Sequence, residues 1–357
     1  MRIFTFHLLN DYSGSPKVLM QSIKAWVQAG HKVTVVTCKG RKGFLSDING
    51  VDYQYFWYNL IANKFLKLVF LLWSQFSLFI KLLFIVKKED LIYINTVLPF
   101  GAAFLGVAKR CRIIYHIHET SIKPFILKKM LFGIVSLASE EVIYVSKYLS
   151  QQENLSCKKT HILYNAIEND FLKIASNKEK GEILYRNVLM VCSLKEYKGV
   201  NEFVELSSML KQYQFRLVVN ASQKEIGQFF RLQALPQNLE ILATQTNLHP
   251  FFLWADVVLN LTRPDEWIET FGLTIIEAMA YGLPVIVPPV GGVTELVEDG
   301  VNGFFANSRN VSGVSKSLIE ILENRILYNQ MKNSALQKIG NYKEDEFVIR
   351  SLEIIEN

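Results

Sequence analysis

The chain has 357 residues, half of them hydrophobic and a fifth charged, with 39 Lys and Arg against 33 Asp and Glu for a formal charge of +6. That length exceeds one ordinary core and calls for two domains, and the composition excludes a disordered chain. The mild basic excess suits phosphorylated substrates or anionic lipid, and with no dense basic block nucleic acid is not an expected partner.

Taken in chain order, residues 3–8 read as a strand. The loop Asn10-Asp11-Tyr12-Ser13-Gly14-Ser15-Pro16 follows, then a helix over 17–29 that stops at Gly30. Residues 32–37, 90–95, 112–118 and 140–145 read as further strands. A polar run, Ser176-Asn177-Lys178-Glu179-Lys180-Gly181, marks a linker. Strands at 187–192, 215–220, 239–242, 256–261 and 284–287 restart the rhythm, and residues 342–357 form an amphipathic closing helix. Strands alternating with helices imply parallel sheets covered on both faces. The expected divisions are 1–168, a linker at 169–184, 185–340, and a terminal helix at 341–357.

Cys38, Cys111, Cys157 and Cys192 are scattered, which suggests neither a disulfide framework nor a zinc site. The N-terminus runs straight into a strand with no leader pattern, so a cytoplasmic protein is expected. The stretch 60–88 departs from the α/β rhythm. Its uncharged run, 68–80, is shorter than the roughly 20 residues a membrane span needs, and lysines stand at its margins. With the similar stretch 123–132, it reads equally as a helix packed on the sheet or as one lying on an anionic membrane surface.

The sharpest chemical signal is Glu269-Thr270-Phe271-Gly272-Leu273, followed by Glu277 within a helix that Gly282 ends. Thr270, Phe271, Gly272 and Leu273 offer backbone N–H groups at a helix start, where a diphosphate could sit. Glu277 could accept both hydroxyls of a ribose, with Glu269 reaching the sugar beyond. By spacing alone, an ordinary amphipathic helix with exposed glutamates is the commoner reading.

These residues, with Ala278-Met279-Ala280-Tyr281-Gly282-Leu283-Pro284-Val285 and Val290-Gly291-Gly292-Val293-Thr294-Glu295, resemble the retaining glycosyltransferase family 4. The resemblance implies the GT-B fold: α/β, two Rossmann-like domains facing each other across a cleft. It implies a hexosyltransferase taking a UDP- or GDP-sugar, with no metal. Lys198 matches the family lysine that grips the donor diphosphate. Ser193 stands where the family has an arginine, and Lys195 is the candidate replacement. Gly14 matches the glycine-rich loop of the first domain, and His118 a histidine that contacts the transferred sugar. Asn165-Ala166 stands where the family usually has Asn-Gly. His116 and His118 share a strand face, but without further ligands they do not suggest a metal site.

The expected acceptor is a saccharide, lipid-linked if the basic apolar stretches meet a membrane, as in surface-polysaccharide assembly on the cytoplasmic face. A sugar-nucleotide epimerase of the same architecture and an inactive nucleotide-sugar-binding scaffold are the competing readings. A nicotinamide-dependent dehydrogenase is disfavoured, because the first strand is not followed by Gly-x-Gly-x-x-Gly.

Overall fold

The structure is a computed structural model and describes residues 1–59, 63–177 and 186–357. Two compact units result: Met1–Tyr164 with Phe347–Asn357, and Asn165–Glu346.

The first unit is built on β1 (Arg2–Phe6), β2 (Lys32–Cys38), β3 (Val51–Phe56), β4 (Leu91–Asn95), β5 (Arg112–Ile117), β6 (Glu141–Tyr144) and β7 (Lys159–Ile162). They form a parallel sheet in the order β3-β2-β1-β4-β5-β6-β7. Its helices are α1 (Gly14–Gln28), α2 (Lys64–Leu82), α3 (Phe100–Lys109), α4 (Phe125–Ala138) and α5 (Lys147–Gln152). The central strands β1, β4 and β5 are almost wholly buried, as a sheet covered on both faces requires.

The second unit begins with α6 (Asn169–Asn177). Its sheet is β8 (Asn187–Ser193), β9 (Gln214–Asn220), β10 (Leu239–Leu242), β11 (Val257–Leu259), β12 (Val285–Val287) and β13 (Gly303–Phe305), in the order β10-β9-β8-β11-β12-β13. The helices are α7 (Val200–Met209), α8 (Gln223–Phe229), α9 (His249–Trp254), α10 (Leu273–Ala280), α11 (Val293–Leu296), α12 (Val311–Glu323) and α13 (Arg325–Lys338). Phe203, Phe215, Leu217, Leu318 and Met331 meet in its core.

Three expectations change. Residues 169–177 are a helix rather than linker: Phe171 packs on His249 at 4.3 Å between ring centroids, and Ala175 is buried. The remainder of the expected linker, 178–184, lies outside the described residues. The closing helix, α14 (Glu344–Glu356), returns to the first unit. There Trp26 Nε1 donates to Ser351 Oγ (2.9 Å), and Arg112 donates to the carbonyls of Ile354 and Ile355 (2.6 Å each). A cation on the last carbonyls of a helix satisfies acceptors that have no partner within it.

The third change concerns the membrane-like stretch, whose residues 60–62 are not described. The shortness of the run 68–80 does not hold for α2 as a whole. Its window Phe65–Leu82 is by length and composition long and apolar enough to cross a membrane, because Lys67 and Lys81 stand near its ends. Yet Leu71, Leu78 and Leu82 are buried in the domain. The Gln75 carbonyl also lies so close to Gly101 of α3 that a Cβ there would come within 2.5 Å of it.

Candidate active site

Each sheet has one point where strand order reverses. In the first unit β1 pairs with β2 on one side and β4 on the other; in the second, β8 stands between β9 and β11. Crossovers leave such a point in opposite directions, so the C-terminal strand ends there border an open crevice. The expected site residues collect at these two edges.

At the first edge, Gly14 opens α1 and is exposed. The carbonyl of Ser15 accepts from Asn95 Nδ2 (3.1 Å), and Asn95 Oδ1 lies 2.9 Å from His118 Nε2. A carbonyl only accepts, so the Asn95 amide nitrogen must face Ser15 and its oxygen must face His118. His118 therefore carries its proton on Nε2, which makes Nδ1 the acceptor nitrogen of a neutral ring. Burial keeps that ring neutral, holding its pKa well below the ordinary imidazole range, and His116 and His7 act in the same direction. His116 itself is lowered to about 3 by burial, with Nδ1 2.8 Å from the Tyr93 hydroxyl. Among the described residues, no group of three or more His, Cys, Asp or Glu is placed to hold a metal ion.

Glu119 ties the ends of β4 and β5 together. Its carboxylate accepts from Val97 N (3.0 Å) and His118 N (3.2 Å), across Thr96 in the left-handed region at φ 73°. Burial pushes its pKa up to about 7 despite those N–H donors. Between the ordinary carboxyl range and that value, the folded chain holds a proton that the unfolded chain has released. Glu119 thus stabilises the fold at low pH, and its contribution is lost as pH rises through about 7. The melting temperature of Glu119→Gln is expected to decline less than wild type from about pH 5 to about pH 8. Parallel declines in the two proteins would contradict this protonation.

At the second edge, Lys198 ends a single 3-10 turn, Glu196–Lys198, that follows β8. Its Nζ lies 2.6 Å from Glu269 Oε2, and both side chains are mostly buried. Asn260 Nδ2 (3.5 Å) and Thr262 Oγ1 (3.3 Å) reach the same oxygen from the segment after β11. Burial opposes ionisation of Glu269, but the Lys198 charge and these donors outweigh it and hold the carboxyl below its ordinary pKa. For Lys198, burial likewise opposes the charge and Glu269 overcomes it, raising the ammonium pKa.

The backbone around this pair is packed without slack. Gly199 sits in the left-handed region at φ 77°, and a Cβ there would lie 2.1 Å from the Leu261 carbonyl oxygen. Gly292 N donates to the Glu269 carbonyl at 2.8 Å. Arg263 clamps the strand-end segment: its guanidinium takes both carboxylate oxygens of Glu202 (2.6 and 3.2 Å), and its N–H donates to the Tyr197 carbonyl (2.7 Å). Tyr197, beside Lys198, stacks on Trp267 at 5.0 Å.

Gly272 caps α10 with φ 106°, and no side chain caps that helix start. Thr270 is half-buried, whereas the Phe271 ring is buried against Tyr342, so any contact Phe271 makes with a ligand comes from its backbone. Leu273 is the first residue of α10, and Glu277 is buried one turn further along. Ser193 and Lys195 line a cavity of about 360 Å³ with Asn220, Glu225 and Phe229. Lys195 thus faces the ends of β8 and β9, while Glu269 is held by Lys198, Asn260 and Thr262.

Asn95, Asn260, Thr262 and Arg263 were absent from the residues expected from sequence. One signal was available: each follows or ends a strand next to an order reversal, and polar residues in that place border the crevice.

Two family profiles match this chain: "Glycosyl transferases group 1" over residues 171–338 and "Glycosyltransferase Family 4" over residues 12–171. The N-acetyl-alpha-D-glucosaminyl L-malate synthase of Bacillus anthracis is 23% identical over 370 residues, which cover 96% of this chain and 93% of that protein. A crystal structure of Anabaena HepE in complex with UDP and glucose superposes with a TM-score of 0.82 at 18% identity, over 100% of both chains. The sucrose-phosphate synthase of Thermosynechococcus elongatus does so with a TM-score of 0.77 at 15% identity, over 99% of this chain and 98% of that one.

Proposed function

The chain belongs to glycosyltransferase family 4, as a sugar-transferring enzyme of the GT-B fold, and from that premise we propose that it moves a hexose from a nucleoside-diphosphate sugar to a saccharide hydroxyl with retention at the anomeric carbon. The observation that carries this reading is the buried Lys198–Glu269 pair beside the uncapped start of α10.

A buried lysine needs an anionic partner. In this reading Glu269 fills that role until the donor diphosphate takes it over. The leaving diphosphate gains negative charge as the anomeric bond breaks, and Lys198 and the α10 N–H groups face that charge. The reading gives no part to a metal. Glu277, one turn into α10, takes the ribose hydroxyls. Glu269, kept in place by Asn260 and Thr262, holds the sugar and offsets oxocarbenium charge. His118 accepts a sugar hydroxyl at Nδ1. The departing phosphate oxygen deprotonates the acceptor hydroxyl on the same face of the sugar, which preserves the anomeric configuration. Lys195, at the mouth of the Ser193 cavity, replaces the charge of the family arginine.

The UDP bound in the HepE structure makes uridine donors the first to test. A panel of UDP- and GDP-sugars is expected to include one that raises the melting temperature of the wild type and not of Glu277→Ala. At a hundredfold excess over Kd the stabilisation is about 2.7 kcal/mol. No shift with any donor would overturn the reading, and a shift with no transfer to any acceptor would overturn it in favour of an inactive scaffold. Conversion of the donor sugar to an isomer without any acceptor would overturn it in favour of an epimerase.

A further inference from the structure

The first unit carries a broad apolar surface that its own core does not use. Helices α2, α3 and α4 pack side by side. Right-handed crossovers leading from β3 to β4, β5 and β6 put all three on one face of the sheet. Their inner residues are buried, but their outer ones are large, apolar and open to solvent. Phe65 is 73% exposed and Trp73 59%, with Phe76 beside them on α2. Phe104 on α3 continues the surface, and on α4 Phe125 and Ile126 are 73% and 81% exposed. Soluble monomers seldom leave so many adjoining aromatic and branched side chains in water.

Charge identifies what covers this face. None of the three helices contains an aspartate or a glutamate. Exposed Lys67, Lys81 and Lys129 lie on α2 and α4, and Lys123 stands just before α4. A face of bulky apolar residues among cations and no carboxylates complements an anionic lipid surface. Although α2 is long enough to cross a bilayer, Leu71, Leu78, Leu82 and the close Gln75–Gly101 approach hold it in the domain. It therefore lies along a surface.

The topology adds a direction. In a parallel sheet, each helix that follows a strand begins at the sheet's C-terminal edge. The apolar starts of α2 (Phe65) and α4 (Phe125, Ile126) accordingly share that edge with Gly14 and His118.

We propose that the α2–α3–α4 face docks on an anionic bilayer, with the Gly14–His118 edge at its rim, so that the acceptor is an amphiphile anchored in that bilayer. The acceptor class rests on the transferase reading above; the docking does not.

The test is co-sedimentation of the full chain with phosphatidylcholine vesicles, with and without phosphatidylglycerol. Binding is expected to be at least tenfold tighter to the anionic vesicles and to weaken in high salt. It should fall tenfold or more in Trp73→Ser/Phe76→Ser and, separately, in Phe125→Ser/Ile126→Ser. Both pairs are exposed, and the thermal shift with UDP should survive in each, which separates loss of docking from loss of the donor site. A chain that stays in the supernatant with both vesicle types overturns the proposal, as does binding that both double variants leave unchanged. A dimer seen by light scattering and abolished by Trp73→Ser/Phe76→Ser overturns it in favour of a second copy on this face. Resistance to alkaline carbonate extraction overturns it in favour of a spanning helix.

Discussion

Lys198→Ala is expected to lower kcat/KM by about 10²–10³-fold, the effect of removing one preorganised group that meets developing charge. It should also destabilise the fold, because Glu269 is left mostly buried without its cation. Removing one partner of a buried pair typically costs about 3–5 kcal/mol. Asn260 and Thr262 still reach Glu269, so the lower end of that range is expected here. The two effects separate in the double variant Lys198→Met/Glu269→Gln. A neutral, similarly shaped pair needs no buried charge, so much of the lost stability should return in chemical denaturation. Turnover should not return, since neither the cation nor the carboxylate is restored. If Lys198→Ala transferred sugar at the wild-type rate, the pair would be structural and the site would lie elsewhere.

Gly292→Ala is expected to be nearly as damaging, although it changes no functional group. A Cβ at this position would lie 1.9 Å from the Thr270 carbonyl oxygen and 3.0 Å from Phe271 N. Both neighbours are backbone, so the turn that carries Glu269 through Gly272 must move. Overpacking of this kind costs about 3 kcal/mol. The displaced segment holds Glu269 and the start of α10, so donor-induced thermal shifts should vanish as well. Gly300→Ala is the control. Gly300 has φ 77° with nothing within 4 Å of an added Cβ. Alanine there bears only left-handed strain, about 1–2 kcal/mol, and donor binding should be unchanged. Equal losses of binding in the two variants would show that the contact with Thr270 is not what matters.

Much of this was legible in the sequence, for a physical reason. Central parallel strands are buried on both faces, so β4, β8 and β11 appear as continuous apolar runs and β1, β5 and β9 as apolar runs broken by a single residue, Thr5, His116 and Arg216. The alternation of such runs with helical periodicity determined the α/β class and the two sheets. The spacing from Glu269 to Glu277 around a helix start was local too, and its likeness to a known family supplied Lys198 and His118 as candidates.

The strands that escaped were β3, β7 and β13, all at sheet edges. There one side of the strand has no partner: β3 and β7 tolerate residues such as Asp52, Gln54 and Lys159, and β13 is only three residues long, so no apolar run of strand length announces them. What only the tertiary structure decided are the contacts between residues distant in the chain. Lys198 meets Glu269 across 71 positions, and Asn95 sets the tautomer of His118 by reaching back to Ser15 across 80. Arg112 draws the last helix onto the first domain across more than 240. A sequence records the propensity of each segment, which is local. The partner that neutralises a buried charge or satisfies a buried amide is set by which strand ends the sheet order brings together.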